Sequence, residues 1–311
     1  MTARESGLPF TKGHGTQNDF VILADADGTL CLDDSLVRRL ADRRAGLGGD
    51  GVIRVVPTVL AHEEAVRAQA GQARWFMDYR NADGSVAEMC GNGARVFAAY
   101  LRRQGWEDAD EFMIATRAGL KRIRVDDTGP VTQVSVHMGR WRVVASEAFA
   151  DRGFDTLVAV RGHDPWPGVS MDLGNPHVVV ALPETVDLDG LGLSSAPLLN
   201  PVPPQGANVE FVQPLGPGHL RMRVHERGVG ETRSCGTGAC AAALALRAWS
   251  AHPGEHDAWR VELAGGTVYV TALPGDEVEL TGPAELVADG TFWLPLAERR
   301  AADGVAAVVV E

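Results

Sequence analysis

Two stretches of this chain begin in the same way. "MCGNGARVFAAYL" and "SCGTGACAAALAL" each read Cys-Gly-x-Gly-Ala and then run on as apolar residues. Cys235 follows Cys90 by 145 positions, and at that offset Gly91 falls on Gly236, Gly93 on Gly238, Ala94 on Ala239 and Leu101 on Leu246. A second echo joins "QNDFVI" to "GNPHVVV", with Asn18 on Asn175 and Val21 on Val178 at an offset of 157. Either echo alone could be coincidence. Both in the same order imply a duplicated unit: an asparagine, a strand, then a cysteine at the mouth of a helix. A chain built this way folds as two similar halves, with Cys90 and Cys235 as counterparts.

The rest of the pattern is mostly β. Short runs such as "DGVIRVV", "ARWFMDYRN", "VTQVSVHMG", "HLRMRVHERG" and "WRVELAGGTVYV" are rich in Val, Ile and aromatics, and turn residues separate them. Three helices stand out. Two follow the cysteines. The third is "CLDDSLVRRLADRR", with Asp33, Asp34 or Ser35 as its cap. Smaller helical turns are expected near Val186–Leu193. The polar, alanine-rich residues 60–73 read as a surface insertion, and 196–208 as a proline-rich loop. The fold class is therefore α+β, with antiparallel sheet wrapped around a few buried helices.

With 311 residues and 45% hydrophobic content, the chain has ample material for two domains. Its formal net charge of −12 argues against binding to nucleic acid or to anionic membrane, both of which want a basic surface. No apolar run is long enough to span a bilayer, and "MTARESGLPFTKGHG" lacks a signal-peptide layout, so a cytoplasmic protein is expected. The four cysteines, Cys31, Cys90, Cys235 and Cys240, contain no CxxC pair, and no metal site is expected. Cys31 and Cys240 read as small packing residues.

A helix start carries N–H groups without intrahelical partners and a positive end of the dipole. It can hold a carboxylate, and it favours thiolate over thiol, so both cysteines are expected to be reactive near neutral pH. Two such elements facing each other could grip one carboxylate and present a sulfur to each face of the adjacent carbon. That arrangement suits stereoinversion at the α-carbon of an amino acid, which needs one base to remove a proton and a second group to return it on the other side.

"KGHGTQNDFVI", "RNADGSVAEMCGNGARVFA", "LGNPHVVV", "NVEF" and "HERGVGETRSCGTGACAA" occur in the order found in the diaminopimelate epimerases, and the chain resembles that family over most of its length. The resemblance implies Cys90 and Cys235 as the catalytic pair, with His177 and Glu226 tuning them. It implies that the backbone of Gly91–Asn92 and Gly236–Thr237 holds the reacting carboxylate. Asn18, Asn81, Asn175 and Asn208 match the family's substrate asparagines, and Arg227 would pair with the distal carboxylate while Glu226 meets an ammonium group. It further implies two pseudo-symmetric domains, each a curled, mostly antiparallel sheet around a central helix, with the active site in the cleft between them. Residues 1–133 with 284–311 would form one domain and 134–283 the other. The partners would be a small-molecule substrate and a second copy of the chain in a homodimer, with no cofactor. One position departs from the family. Where a glutamine often follows "GxD", this chain has Gly51 after Asp50.

Proline racemases, with a similar pair of cysteines, are an alternative on the same scaffold, but the asparagines and "ERGVGET" fit a second amino-acid head better than a proline ring. A thiol redox protein is an alternative of another class; it would need an electron donor. "GTGACA" matches a dinucleotide-binding fingerprint, yet it follows polar "RGVGETRSC" rather than an apolar strand.

Overall fold

The computed structural model describes residues 7–250 and 256–293. Along the chain, β1 (Leu8–Gly15), β2 (Asn18–Ala24), α1 (Asp34–Ala41), β3 (Gly51–Pro57), α2 (Glu64–Arg67) and β4 (Trp75–Asn81) precede α3 (Gly91–Arg103). Then come β5 (Glu111–Ile114), β6 (Lys121–Asp126), β7 (Gln133–Arg140), β8 (Arg142–Val143), α4 (Ser146–Arg152), β9 (Thr156–Ala159) and β10 (Trp166–Asp172). β11 (Pro176–Ala181), β12 (Leu198–Asn200), β13 (Asn208–Gly216), β14 (His219–Glu226) and β15 (Gly230–Thr232) lead to α5 (Gly236–Trp249). β16 (Ala258–Leu263), β17 (Gly266–Leu273), β18 (Glu277–Pro283) and β19 (Glu285–Phe292) complete it.

The strands form two sheets. One has the order β19-β1-β2-β3-β4; the other runs β12-β9-β10-β11-β13-β14-β16-β17-β18-β7-β6-β5, with β15 on β14 and β8 on β10. Most neighbours are antiparallel. The parallel pairs include β2 with β3 and β11 with β13, and these repeat one another: Phe20 lies opposite Gly51 as His177 lies opposite Asn208. The echo at an offset of 157 is thus a repeat of strand pairing as well as of sequence. Among the described residues β19 returns from the end of the chain to pair with β1.

α3 packs against β1, β2, β3, β4, β6, β7, β18 and β19, while α5 packs against β10, β11, β13, β14, β16, β17 and β18. Both are core helices with little exposed face, and one apolar cluster holds residues of both, from Ala94–Leu101 to Ala239–Ala245. The alanine run of α5 lets strands approach it closely on every side. Asp33 caps α1, its carboxylate accepting from Leu36 N–H at 2.8 Å.

Three expectations need correction. Residues 60–73 are not a simple surface excursion, since Ala61, Val66 and Ala73 are buried against Phe76 and Ala115 in a core of their own. Val186–Leu193 makes hydrogen-bonded turns rather than helix, with Leu188, Leu191 and Leu193 as anchors in the core beneath. Cys31 is exposed, not packed; Cys240 is fully buried. None of the described helices is long and apolar enough to cross a membrane.

Candidate active site

Each repeated cysteine is a helix N-cap. Cys90 precedes α3 with φ −138° and ψ 121°, and Cys235 precedes α5 with φ −125° and ψ 114°. An N-cap needs this extended backbone and a side-chain acceptor, a role usually filled by oxygen. Here sulfur fills it: Gly93 N–H donates to Cys90 Sγ at 3.4 Å and Gly238 N–H to Cys235 Sγ at 3.3 Å. The amides of Gly91–Asn92 and Gly236–Thr237 come one and two residues after the caps, where a helix supplies no internal acceptor. The two helix starts meet. A Cβ on Gly236 would lie 2.9 Å from Leu280 Cδ2 and 3.4 Å from Asn92 Oδ1, and one on Gly91 would lie 3.2 Å from the same leucine methyl. Glycine at both positions spares the Leu280 side chain from having to shift.

Around Cys90 the polar groups form one chain. The thiol donates to Asn18 Oδ1 at 3.7 Å, which also accepts from Asn92 Nδ2 at 3.1 Å. Asn18 Nδ2 donates to Asp50 Oδ2 at 2.7 Å, and Asn92 Oδ1 accepts from Arg95 Nη2 at 2.7 Å. A carboxylate can only accept and a guanidinium can only donate, so both amides are oriented without ambiguity. Asn92 Nδ2 also reaches the Ser234 carbonyl at 3.3 Å, and the Ser234 hydroxyl shares a 2.6 Å bond with Thr16. These bonds tie the two halves together beside the sulfurs. The Thr16–Gln17 turn that makes them has φ of 51° and 62°, and the Gln17 side chain accepts from Arg233 Nε at 2.6 Å. Left-handed backbone at two non-glycine residues is costly, and these long-range bonds hold it.

Arg95 is fully buried, and its Nε and Nη1 have no partner among the described residues. Burial brings its pKa down to about 10. Gly282 and Gly15 make room for it: a Cβ would lie 1.9 Å from Nη1 at the first and 2.9 Å from Nη2 at the second.

Around Cys235 the chain is different. Thr237 Oγ1 is 3.6 Å from Sγ and accepts from Asn175 Nδ2 at 3.3 Å. Asn175 Oδ1 faces His177 Nε2 at 3.0 Å, and His177 Nδ1 bonds Glu210 Oε1 at 2.7 Å. The histidine and glutamate side chains are wholly buried. Because an amide oxygen faces Nε2, that nitrogen is placed to donate to it.

The remaining expected residues lie nearby in separate contacts. Glu226 accepts from the Thr232 hydroxyl, and burial raises its carboxyl pKa, an effect that the Thr232 bond opposes and Glu210 adds to. Asn208 Oδ1 accepts from the Arg227 amide at 2.9 Å, while the exposed Arg227 guanidinium donates to the Gln205 carbonyl at 2.6 Å. Asn81 Nδ2 donates to Ser85 Oγ at 3.0 Å.

The expectation of thiolates near neutral pH does not hold for these buried sulfurs. Burial pushes Cys90 up to about 11, with the Gly93 amide lowering it and Glu226 raising it. Cys235 is raised well above its ordinary value, by burial first and then by Glu226 and Glu210. Desolvation outweighs the helix starts, so both sulfurs rest as thiols.

Sequence reading passed over Arg95, Glu210, Thr16 and Ser234 and left Asp50 without a role. Arg95 and Glu210 did leave a signal, each being a charge inside an otherwise apolar run, "GARVFAAYL" and "NVEFV". Thr16 and Ser234 left none.

The model of the diaminopimelate epimerase family matches residues 10–144 and 169–287. The diaminopimelate epimerase of Streptomyces coelicolor is 48% identical over 297 residues, 92% of this chain and 97% of that one. That of Thermobifida fusca is 47% identical over 295 residues, 92% of this chain and 98% of that one. Among solved structures, a probable proline racemase from Agrobacterium radiobacter superposes with a TM-score of 0.63 at 16% identity, covering 95% of both chains. A hydroxyproline epimerase from Agrobacterium vitis does so with 0.61 at 15%, again over 95% of both. At such low identity those two speak for the two-domain α+β fold alone. The family match and the close relatives speak for more: the chain belongs to the diaminopimelate epimerase family.

Proposed function

We propose that this isomerase interconverts LL- and meso-diaminopimelate, in lysine and peptidoglycan precursor synthesis, with Cys90 and Cys235 as the two groups that exchange the α-proton. The observation that carries the reading is the meeting of two cysteine-capped helix starts. The amides of Gly91–Asn92 and Gly236–Thr237 hold the reacting carboxylate. They are placed to stabilise the charge it gains when the α-carbon loses its proton. One sulfur takes that proton as thiolate, and the other, as thiol, returns a proton on the opposite face; each turnover leaves the two sulfurs in exchanged states. A substrate ammonium beside Glu226 offsets the negative field that raises both thiols and so makes a thiolate easier to form. Expulsion of water by closure strengthens these interactions. Asn18, Asn81, Asn175, Asn208, Glu226 and Arg227 orient the substrate, and His177 steadies Asn175 and Thr237 beside Cys235.

The halves divide as 1–133 with 284–311 and 134–283, of which 294–311 lies outside the described residues. The return of β19 to β1 supports that division. The enzyme works in the cytoplasm as a homodimer, a reading that light scattering on the purified protein tests for oligomeric state.

The experiment is incubation with LL-diaminopimelate in D₂O under reducing conditions, without added metal or pyridoxal phosphate. Meso product carrying deuterium at the inverted carbon, lost in both Cys90→Ala and Cys235→Ala, is the expected result. Absence of both exchange and inversion in the reduced parent protein overturns the proposal.

A further inference from the structure

Gly51 leaves a gap in the first half's set of polar side chains, and the fold shows what fills the space. A Cβ at residue 51 would lie 2.5 Å from Tyr79 Cε2, 3.2 Å from Tyr79 Cζ and 2.5 Å from the Arg80 carbonyl. The tyrosine ring stands where a longer side chain would start. The pseudo-equivalent position in the second half shows what belongs there. Asn208 faces His177 across β13 and β11 as Gly51 faces Phe20 across β3 and β2, and Asn208 carries a polar side chain.

Tyr79 is 7% exposed, and its ring meets Phe20 edge-on with centroids 5.8 Å apart. Its hydroxyl has no hydrogen-bond partner among the described residues. The oxygen is not sealed from solvent, which leaves it open to a ligand. Three carboxyl groups act on it, those of Asp50, Glu226 and Asp83, beside the neutral thiol of Cys90. Such surroundings favour a cation as the missing partner. Burial first, and then neighbouring groups, raise the phenol's pKa, so it stays a neutral hydroxyl, which can still accept a hydrogen bond.

Resting on the epimerase reading, we propose that Tyr79 is a substrate-contacting residue whose hydroxyl accepts a hydrogen bond from the ammonium group on the reacting carbon, in place of a side chain at position 51. A bond with one charged partner is about twice as strong as a neutral one.

The test is Tyr79→Phe, which keeps the ring and its contact with Phe20, assayed with LL-diaminopimelate beside the parent enzyme. The expected result is a fall in kcat/KM of roughly 10- to 100-fold, the range for one hydrogen bond to a charged group, carried mainly by KM, with an unchanged melting temperature. Tyr79→Phe kinetics within about twofold of an active parent would overturn the contact, that being far below the loss of a charged hydrogen bond. So would a loss confined to kcat. A parent that does not epimerise diaminopimelate overturns the underlying reading, and this proposal with it, before the variant is assayed.

Discussion

The two halves share a backbone frame and differ in where they put charge. At an offset of 145 the helix positions pair Asn92 with Thr237 and Arg95 with Cys240. At the matching strand positions Phe20 pairs with His177 and Ile53 with Glu210. Beneath Gly93 of α3 a Cβ would meet Ile53 Cδ1 at 3.3 Å and Phe20 Cζ at 3.6 Å. Beneath Gly238 of α5 it would meet Glu210 Oε1 at 2.7 Å. The first half thus sets its buried charge on the helix, as Arg95, over an apolar floor. The second sets it in the floor, as His177 and Glu210, under an apolar helix. Symmetric sulfurs face asymmetric fields: Arg95 acts to lower Cys90, while Glu210 acts to raise Cys235. Duplication supplies two opposed groups, and the exchange of buried charge makes them unequal, as two faces of a chiral centre require.

The largest test of that difference removes the histidine. His177→Leu leaves Glu210 buried without its partner, with Oε2 already unpartnered. Loss of one member of a buried pair costs about 3–5 kcal/mol, read as a lower urea midpoint. The double change His177→Phe with Glu210→Ile copies the first half's floor. It is expected to recover most of that stability, since apolar replacement of a whole buried pair is often neutral, but not the activity. A double variant no more stable than His177→Leu would show that the two floors are not interchangeable frames.

The two cap glycines give the next contrast. Gly238→Ala drives a methyl against a carboxylate oxygen and sits 3.2 Å from Cys235 Sγ, whereas Gly93→Ala meets the flexible end of Ile53. Overpacking of this kind costs about 1–3 kcal/mol. Gly238→Ala is expected to lower kcat/KM by roughly tenfold or more, because the methyl displaces Cys235 and Glu210 and about 1.4 kcal/mol of lost transition-state stabilisation is tenfold in rate. Gly93→Ala is expected to stay within about threefold and to gain a little helix stability. Equal losses would remove the distinction between the floors.

How much of this could be read from the chain depended on the range of the interaction. The cysteine-capped helices were legible because the cap, the glycines and the apolar run are contiguous, and the repeat doubled the signal. The α+β class followed from short alternating runs. β10 was not read, because "WPGVSMD" holds a proline and a glycine; β19 lies in a run that does read as strand, but its pairing with β1 leaves no local mark. Strand order and the return of β19 are long-range facts without a local pattern. In the site, Asn18 and Asn175 came from the family resemblance, and only three-dimensional structure shows Asp50 orienting the first and His177 the second. The thiol pKa values were misjudged for the same reason. A helix start is visible in sequence; desolvation and the carboxylates of Glu210 and Glu226 are not.

Thiol reactivity reads the field difference at smaller scale. With a pKa near 11, Cys90 gains thiolate about tenfold per pH unit below that value. Its alkylation by iodoacetamide in the substrate-free enzyme is expected to keep climbing above pH 9 rather than level off near 8. Cys90, half-buried and beside Arg95, is expected to react before buried Cys235. Arg95→Met should slow Cys90 several-fold at fixed pH, because it removes a cation that favours the thiolate, and leave Cys235 little changed; peptide mapping by mass spectrometry separates the two sites. Faster reaction at Cys235 would reverse the assignment of the fields.

The smallest effect is expected at the outer edge of the first half. Arg43 bonds both Asp19 and Asp50 at 2.7 Å, and Asp50 in turn orients Asn18. The arginine side chain is 58% exposed, so water screens the pairing. Exposed ion pairs of this kind contribute about 0–1 kcal/mol. Asp50 also accepts from the Asp19 amide at 3.1 Å, and Lys12 still pairs with Asp19 at 2.6 Å. Removing Arg43 therefore leaves each acid with another hydrogen-bond partner and leaves Asn18 aimed at Cys90. Arg43→Met is expected to shift the melting temperature by a few degrees at most and kcat/KM by less than about twofold, as for a screened surface pair. A larger kinetic loss at unchanged stability would move the boundary of the catalytic network outward, from Asp50 to the arginine that flanks it.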